Sequence, residues 1–231
     1  GKKMSYAVSL GKENVSHDEA NWIAENVRDF DFVSVREYTS KVLLEENGIK
    51  NIEYVCDPVL LLEKEEYLNI QIKPQNSKYI AVYMVEKSDL LDNLLQRLKA
   101  IYGYETIHIG AFINRSKSDN LIKGTSPTEF VGLLANAEFI VASSFHATVF
   151  AHIFEKNFAI IPPRKNSARI EQFLELTGLT NHIVRSDIDI ENSIQNIDYE
   201  LVNQKLAPFV DNSKKILLNQ LALYDKNLKI R

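Results

Sequence analysis

A chain of 231 residues with 45% hydrophobic and 25% charged side chains can bury a core without staples, as one large domain or two small ones. A net charge of −4 and a sequence pI of about 5.8 leave no global positive field, which argues against DNA or RNA as a partner. The single cysteine, Cys56, cannot form an internal disulfide and reads as an inert, partly buried thiol, and no apolar run approaches the roughly 18 residues of a membrane span.

Strand-length apolar runs alternate with amphipathic stretches, the pattern of βα units around a parallel sheet. Residues 4–10 read as a strand, and Ser16 with Glu19 offers a capping box for a helix to about residue 28. Residues 32–35 read as a second strand, a helix from about Thr39 stops at Gly48, and residues 52–55 read as a third strand. The polar stretch 63–77 reads as a linker, with room for a helical turn, between a partial Rossmann-like domain, residues 1–62, and a second one, residues 78–188.

In the second domain a strand over 79–84, a helix over 88–101 and a strand over 106–109 precede a long polar loop to Gly124. Ser126, Pro127 and Glu129 together spell a helix start, and that helix turns Phe130, Leu133 and Leu134 inward. A strand over 138–142, a helix over 143–154, a strand over 158–161, a helix over 166–177 capped by Gly178 and a last strand over 182–184 follow. Residues 189–231 form a helical segment, with Leu201, Leu206, Phe209, Ile216, Leu217, Leu221 and Tyr224 at helical spacings.

In an open α/β sheet, ligands bind beyond the carboxyl ends of the strands. Three successive strands deliver anion-binding groups there: Arg115, Lys117 and Lys123 after 106–109, Ser143, Ser144 and His146 after 138–142, and Arg164, Lys165 and Arg169 after 158–161. Ser143 and Ser144 stand where a helix begins, so unpaired N–H groups and the helix dipole favour a phosphate or carboxylate beside them. The alternative is that a serine merely caps the helix and His146 is a surface or packed side chain. Arg36 ends the second strand, either as an anion clamp or as a surface arginine paired with Glu37 or a neighbouring carboxylate. His17, His152 and His182 read as structural or solvated, and His108 as ambiguous. No histidine pair has metal-ligand spacing, and no glycine-rich nucleotide motif or Walker stretch occurs, so neither a metal nor a cofactor is expected.

Five segments in order carry a resemblance: Val33-Ser34-Val35-Arg36-Glu37, Cys56-Asp57-Pro58-Val59-Leu60-Leu61, Ser126-Pro127-Thr128-Glu129-Phe130, residues 137–150 with their SSFHATVF, and Ala168-Arg169-Ile170. Together they resemble the polysaccharide pyruvyl transferase family. The resemblance implies a fold similar to the GT-B glycosyltransferases, with two Rossmann-like domains, the first incomplete here. It implies transfer of the pyruvyl group of phosphoenolpyruvate to a saccharide acceptor, free or lipid-linked, as a pyruvate ketal in the cytoplasm or at the inner face of its membrane. Arg36 and His146 correspond to the family's essential arginine and histidine. Ala147 stands where the family often has glycine, which narrows the approach to the helix start.

The resemblance casts His146 as general acid or phosphate ligand, Arg36 and Arg169 as anion clamps, and Ser143 and Ser144 as donors to phosphate or carboxylate. Arg115, Lys123, Arg164 and Lys165 complete the expected set. The rivals are a sugar-nucleotide glycosyltransferase of similar fold and a non-catalytic homologue. The chain is expected to be the carboxyl-terminal part of a longer enzyme, its helical tail covering an open face or mediating self-association.

Overall fold

The computed structural model describes residues 3–11, 15–75, 78–110 and 119–224. The chain divides into two compact units, one made of residues 1–61 and 203–231, the other of residues 62–202.

The first unit is a parallel sheet in the order β1 (Met4–Val8), β2 (Phe32–Val35), β3 (Ile52–Tyr54), with α1 (His17–Val27) and α2 (Tyr38–Glu46) as crossovers. Every residue of β2 is buried, as a central parallel strand requires. Val33, Val35 and Ile52 meet Ala24 of α1 and Leu44 of α2 in the core. The β1–β2 register shifts between Ser5 and Val8, and the buried Ser34 hydroxyl repairs that bulge by accepting the Ala7 N–H at 2.9 Å and donating to the Ser5 carbonyl at 3.2 Å. Ser16 and Glu19 form the expected capping box, and Gly48, at φ 84, ends the α2 turn.

The far part of a long helix belongs to this unit. Its Ser213 hydroxyl accepts the Cys56 N–H at 2.9 Å, and the Tyr6 hydroxyl donates to the Ser213 carbonyl at 3.1 Å. Cys56 is buried, and burial pushes its thiol up to about 11, so the thiolate needed for nucleophilic chemistry is suppressed.

The second unit opens with α3 (Lys64–Ile70) and continues β4 (Tyr79–Tyr83), α4 (Leu90–Tyr102), β5 (Glu105–Ile109), β6 (Asn120–Ile122), α5 (Pro127–Ala135), β7 (Phe139–Ala142), α6 (Phe145–Ile153), β8 (Asn157–Ile160), α7 (Ala168–Thr177) and α8 (Ile190–Ser193). The helix α9 (Tyr199–Tyr224) begins in this unit and continues into the first. All strands are parallel, in the order β6-β5-β4-β7-β8. The chain therefore runs outward from β4 to β6, crosses back, and runs outward again from β7 to β8. Between β4 and β7 the sheet has a topological switch point, where the loops leave in opposite directions and open a crevice. Ile80, Val82, Phe139, Val141 and Ala159 meet Leu91, Leu94 and Leu98 of α4 in the core.

Three expectations change. The stretch read as a linker contains α3, anchored by buried Tyr67, whose ring lies 5.1 Å edge-on from Phe150. The loop before Gly124 holds the short strand β6. The strand expected at 182–184 reduces to one bridge between Ile160 and Ile183, because a 3-10 turn at Thr180–His182 precedes it and a Ser186–Asp189 capping box follows. Among the described residues no helix is long and apolar enough to cross a membrane.

Candidate active site

The turn from β7 into α6 lies at the switch point of the second unit. The Ser143 hydroxyl accepts the Val85 N–H at 2.8 Å, and the Ser143 N–H donates to the Tyr83 carbonyl at 3.0 Å, so this residue pins the loop after β4 to the turn after β7. Ser143 is 1% exposed. Its placement corrects the expectation of a ligand donor: the hydroxyl braces the turn from inside.

Ser144, half-buried, is the N-cap of α6, with φ −119° and ψ 136°. Its carbonyl accepts both the N–H and the hydroxyl of Thr148, at 3.0 and 2.9 Å, but its own hydroxyl makes no capping bond. The serines that start α1 and α5 do cap their helices. The start of α6 is thus the uncapped one of these three, with the positive end of its dipole at the sheet's carboxyl edge.

His146 is the second residue of α6 and is exposed, its ring 5.5 Å from that of Phe145. Arg169 is the second residue of α7, and its guanidinium carbon lies 5.8 Å from the Phe145 ring centroid. Phe145 therefore has both the imidazole and the guanidinium within about 6 Å of its ring. The Arg169 Nε is buried and makes no hydrogen bond. Arg164 and Lys165 are exposed in the loop after β8, and the Arg164 N–H donates to Glu86 Oε1 at 2.6 Å, fastening that loop to the one after β4. Lys123 is exposed just after β6. Arg115 and Lys117 lie outside the described residues.

Two cavities of about 480 Å³ each open at this edge. One is walled by Tyr83, Phe130 and Phe150 and reaches Ser144 and His146. The other is lined by Lys87, Arg164, Ser167, Glu171 and Arg185, with Arg185 paired to Glu171 at 2.9 Å.

Arg36 stands in the first unit, at the carboxyl end of β2. Its Nη1 is 3.0 Å from Asp57 Oδ2 and its Nε 3.6 Å from Glu37 Oε1. The guanidinium side chain is 21% exposed, against 2% for Asp57 and 9% for Glu37. Two buried carboxylates thus surround one guanidinium, the paired arrangement that sequence reading held as its alternative. Glu37 and Asp57 were missed as site residues, although each lies inside a segment that carried the resemblance.

Of the other histidines, three are buried and one is exposed. His152 is buried, and burial pushes its imidazole down to about 4. His182 is also lowered by burial, and its Nδ1 lies 3.1 and 2.9 Å from the carbonyls of Phe158 and Ser193. His108 is buried in β5, and His17 is exposed at the start of α1.

Comparisons with solved structures extend the fold assignment. UDP-N-acetylglucosamine 2-epimerase from Neisseria meningitidis, solved with UDP-GlcNAc, matches at TM-score 0.57 and 17% identity over 87% of this chain and 62% of its own. The Methanocaldococcus jannaschii 2-epimerase matches at TM-score 0.54 and 14% identity over 96% of this chain and 69% of its own. The chain thus spans less than two thirds of the Neisseria enzyme's length. At such identities the likeness concerns the fold, α/β of the GT-B type. No curated protein matches the chain. A sequence model described as polysaccharide pyruvyl transferase matches residues 1–166, a segment that holds Arg36, Asp57, Ser144, His146 and Arg164 and stops short of Arg169. By that match, over more than half of its length, the chain belongs to the polysaccharide pyruvyl transferase family.

Proposed function

We propose that this chain takes part in transferring the pyruvyl group of phosphoenolpyruvate to two hydroxyls of a saccharide, forming a cyclic ketal and releasing phosphate. The observation that carries the reading is exposed His146 at the uncapped start of α6, with Arg169 against the neighbouring Phe145 ring. In this reaction the methylene carbon of phosphoenolpyruvate gains a proton and becomes a methyl group. One sugar hydroxyl adds to the neighbouring carbon, phosphate leaves, and a second hydroxyl adds in its place. The two hydroxyls give up two protons; one balances the new methyl and the other departs with phosphate. An imidazole at the sheet edge can carry such a proton, while helix N–H groups and a guanidinium stabilise the phosphate and carboxylate charge.

His146 is the proton carrier, Ser144 and Arg169 are anion ligands, and Arg164, Lys165 and Lys123 add positive charge around the edge. Arg36 acts within the first unit, its charge directed by Asp57 and Glu37. Phosphoenolpyruvate is a metabolite of the cell interior, so the reading sets the reaction in the cytoplasm, with a free or lipid-linked acceptor.

The test is phosphate release and appearance of a ketal methyl resonance when the protein is incubated with phosphoenolpyruvate and a saccharide panel. His146→Ala is expected to lower turnover by on the order of 100-fold, and Lys165→Ala by much less. Near-normal transfer by His146→Ala would remove this mechanism. The sugar-nucleotide alternative has the fold neighbours in its favour; it prevails if UDP-GlcNAc, and not phosphoenolpyruvate, raises the melting temperature.

A further inference from the structure

Among the described residues, the cavity beside His146 has a lining poor in charge, and it meets the anion-binding start of α6 only at its Ser144 and His146 rim. Phosphoenolpyruvate carries a phosphate and a carboxylate, and a buried anion needs cations or several N–H donors. Among the described residues, no lysine, arginine, aspartate or glutamate lines this cavity. Its walls are Tyr83, Phe130 and Phe150, with the Tyr83 and Phe130 ring centroids 4.9 Å apart at 68° and those of Phe130 and Phe150 6.2 Å apart at 76°. Phe150 is buried, whereas Tyr83 and Phe130 are only partly buried. Two large rings held partly in water cost free energy that an occupant packed against them would recover. Gly110 and Gly124 also line it, so a ligand can approach the backbone there, beside Thr125 and Ser126. A volume of about 480 Å³ is within the usual range for small-molecule sites.

We propose that this cavity is the saccharide subsite: an uncharged pyranose ring stacks its C–H face on Phe130 and meets Tyr83 at its edge, with one hydroxyl directed at His146. The assignment rests on the transferase reading above and divides the edge in two. The neutral acceptor occupies the aromatic side, and the anionic donor takes the side of the α6 start and Arg169. His146, which lines the cavity from the first turn of α6, stands between them, where a proton from an acceptor hydroxyl can be received.

The test uses methyl pyranosides of galactose, glucose and mannose as probes, with saturation-transfer NMR on the whole chain, beside thermal shifts with phosphoenolpyruvate and uridine. Saturation is expected at the ring protons of at least one pyranoside. Phe130→Leu, which keeps apolar volume but removes the ring, should weaken that binding by on the order of tenfold, and Phe130→Tyr should restore it. The phosphoenolpyruvate shift should be unchanged in both variants, which also reports that they fold. Pyranoside binding lost in Phe130→Leu and restored in Phe130→Tyr, without any phosphoenolpyruvate shift, would keep the subsite and sink the donor reading. A phosphoenolpyruvate shift with no pyranoside bound overturns the subsite and leaves the donor reading standing. Pyranoside binding indifferent to Phe130→Leu, or uridine displacing the pyranoside, also overturns the subsite.

Discussion

A buried imidazole that has no hydrogen-bond partner for one nitrogen resists protonation, and His152 is such a group: its Nδ1 is buried and unbonded, and burial lowers its pKa from 6.5 to about 4. Between those values the unfolded chain binds a proton that the folded chain refuses. The contribution to stability is therefore whole above about 6.5 and is lost progressively as pH falls through about 4. His182, also lowered by burial, acts in the same direction. Asp119, held down to about 2 by Lys99 and Thr106, matters only in more acid solution. His152→Phe is expected to flatten the dependence of urea midpoint on pH across the upper window; an unaltered slope would assign the acid sensitivity elsewhere. Composition and spacing sorted His152 and His182 correctly as structural, because each falls in an apolar or strand-edge context. For Arg36 they offered Glu37 or a neighbouring carboxylate but could not name Asp57. Asp57 reaches it through the pairing of β2 with β3, a long-range register that no local pattern displays.

Helix starts show the same contrast at the scale of an element. In α5 the Ser126 hydroxyl accepts the Glu129 N–H at 3.3 Å, and Glu129 Oε2 accepts the Ser126 N–H at 2.7 Å. In α6 the Ser144 hydroxyl makes no such bond. Ser126→Ala should therefore lower unfolding free energy by about 1 kcal/mol, the usual value of a capping side chain, whereas Ser144→Ala should stay within about 0.5 kcal/mol. Paired denaturant titrations check this, and an equal loss in both variants would mean that Ser144 caps its helix in solution. The start of α5 was legible because the capping box is written within four consecutive residues. The helix α3 was legible only as room for a turn, since a polar segment with the one buried residue Tyr67 lacks a repeating apolar face. A three-residue strand such as β6, exposed at its first position and half-buried at the next two, gives too short a pattern to read.

At the scale of the whole chain, each unit has its own core. The first relies on Val33, Val35, Leu44, Ile49 and Ile52 around a sheet in which only β2 has neighbours on both sides. In the second, β5, β4 and β7 are all interior, and the core extends from Ile80 to Ile194. Sequence patterns placed a break after residue 62 and a helical segment at 189–231; the compact units are residues 1–61 with 203–231, and residues 62–202. Helical periodicity shows that a helix forms without showing what it packs against; here Ser213 bonds the Cys56 N–H and the Tyr6 hydroxyl, and Phe209 lies 4.8 Å from the Tyr54 ring. Less apolar burial per strand should make the first unit open at lower free energy, as a separate cooperative unit. In native-state hydrogen exchange with rising urea, amides of β2 and of the α9 segment around Ser213 are expected to lose protection together, before those of β4 and β7. Ile52→Ala, which removes a fully buried side chain from the smaller core, should lower that first opening by about 2–5 kcal/mol and leave the second where it was. If all of these amides open at one free energy, and Ile52→Ala lowers it for both sets equally, the chain unfolds as one body and the separation into two energetic units is wrong.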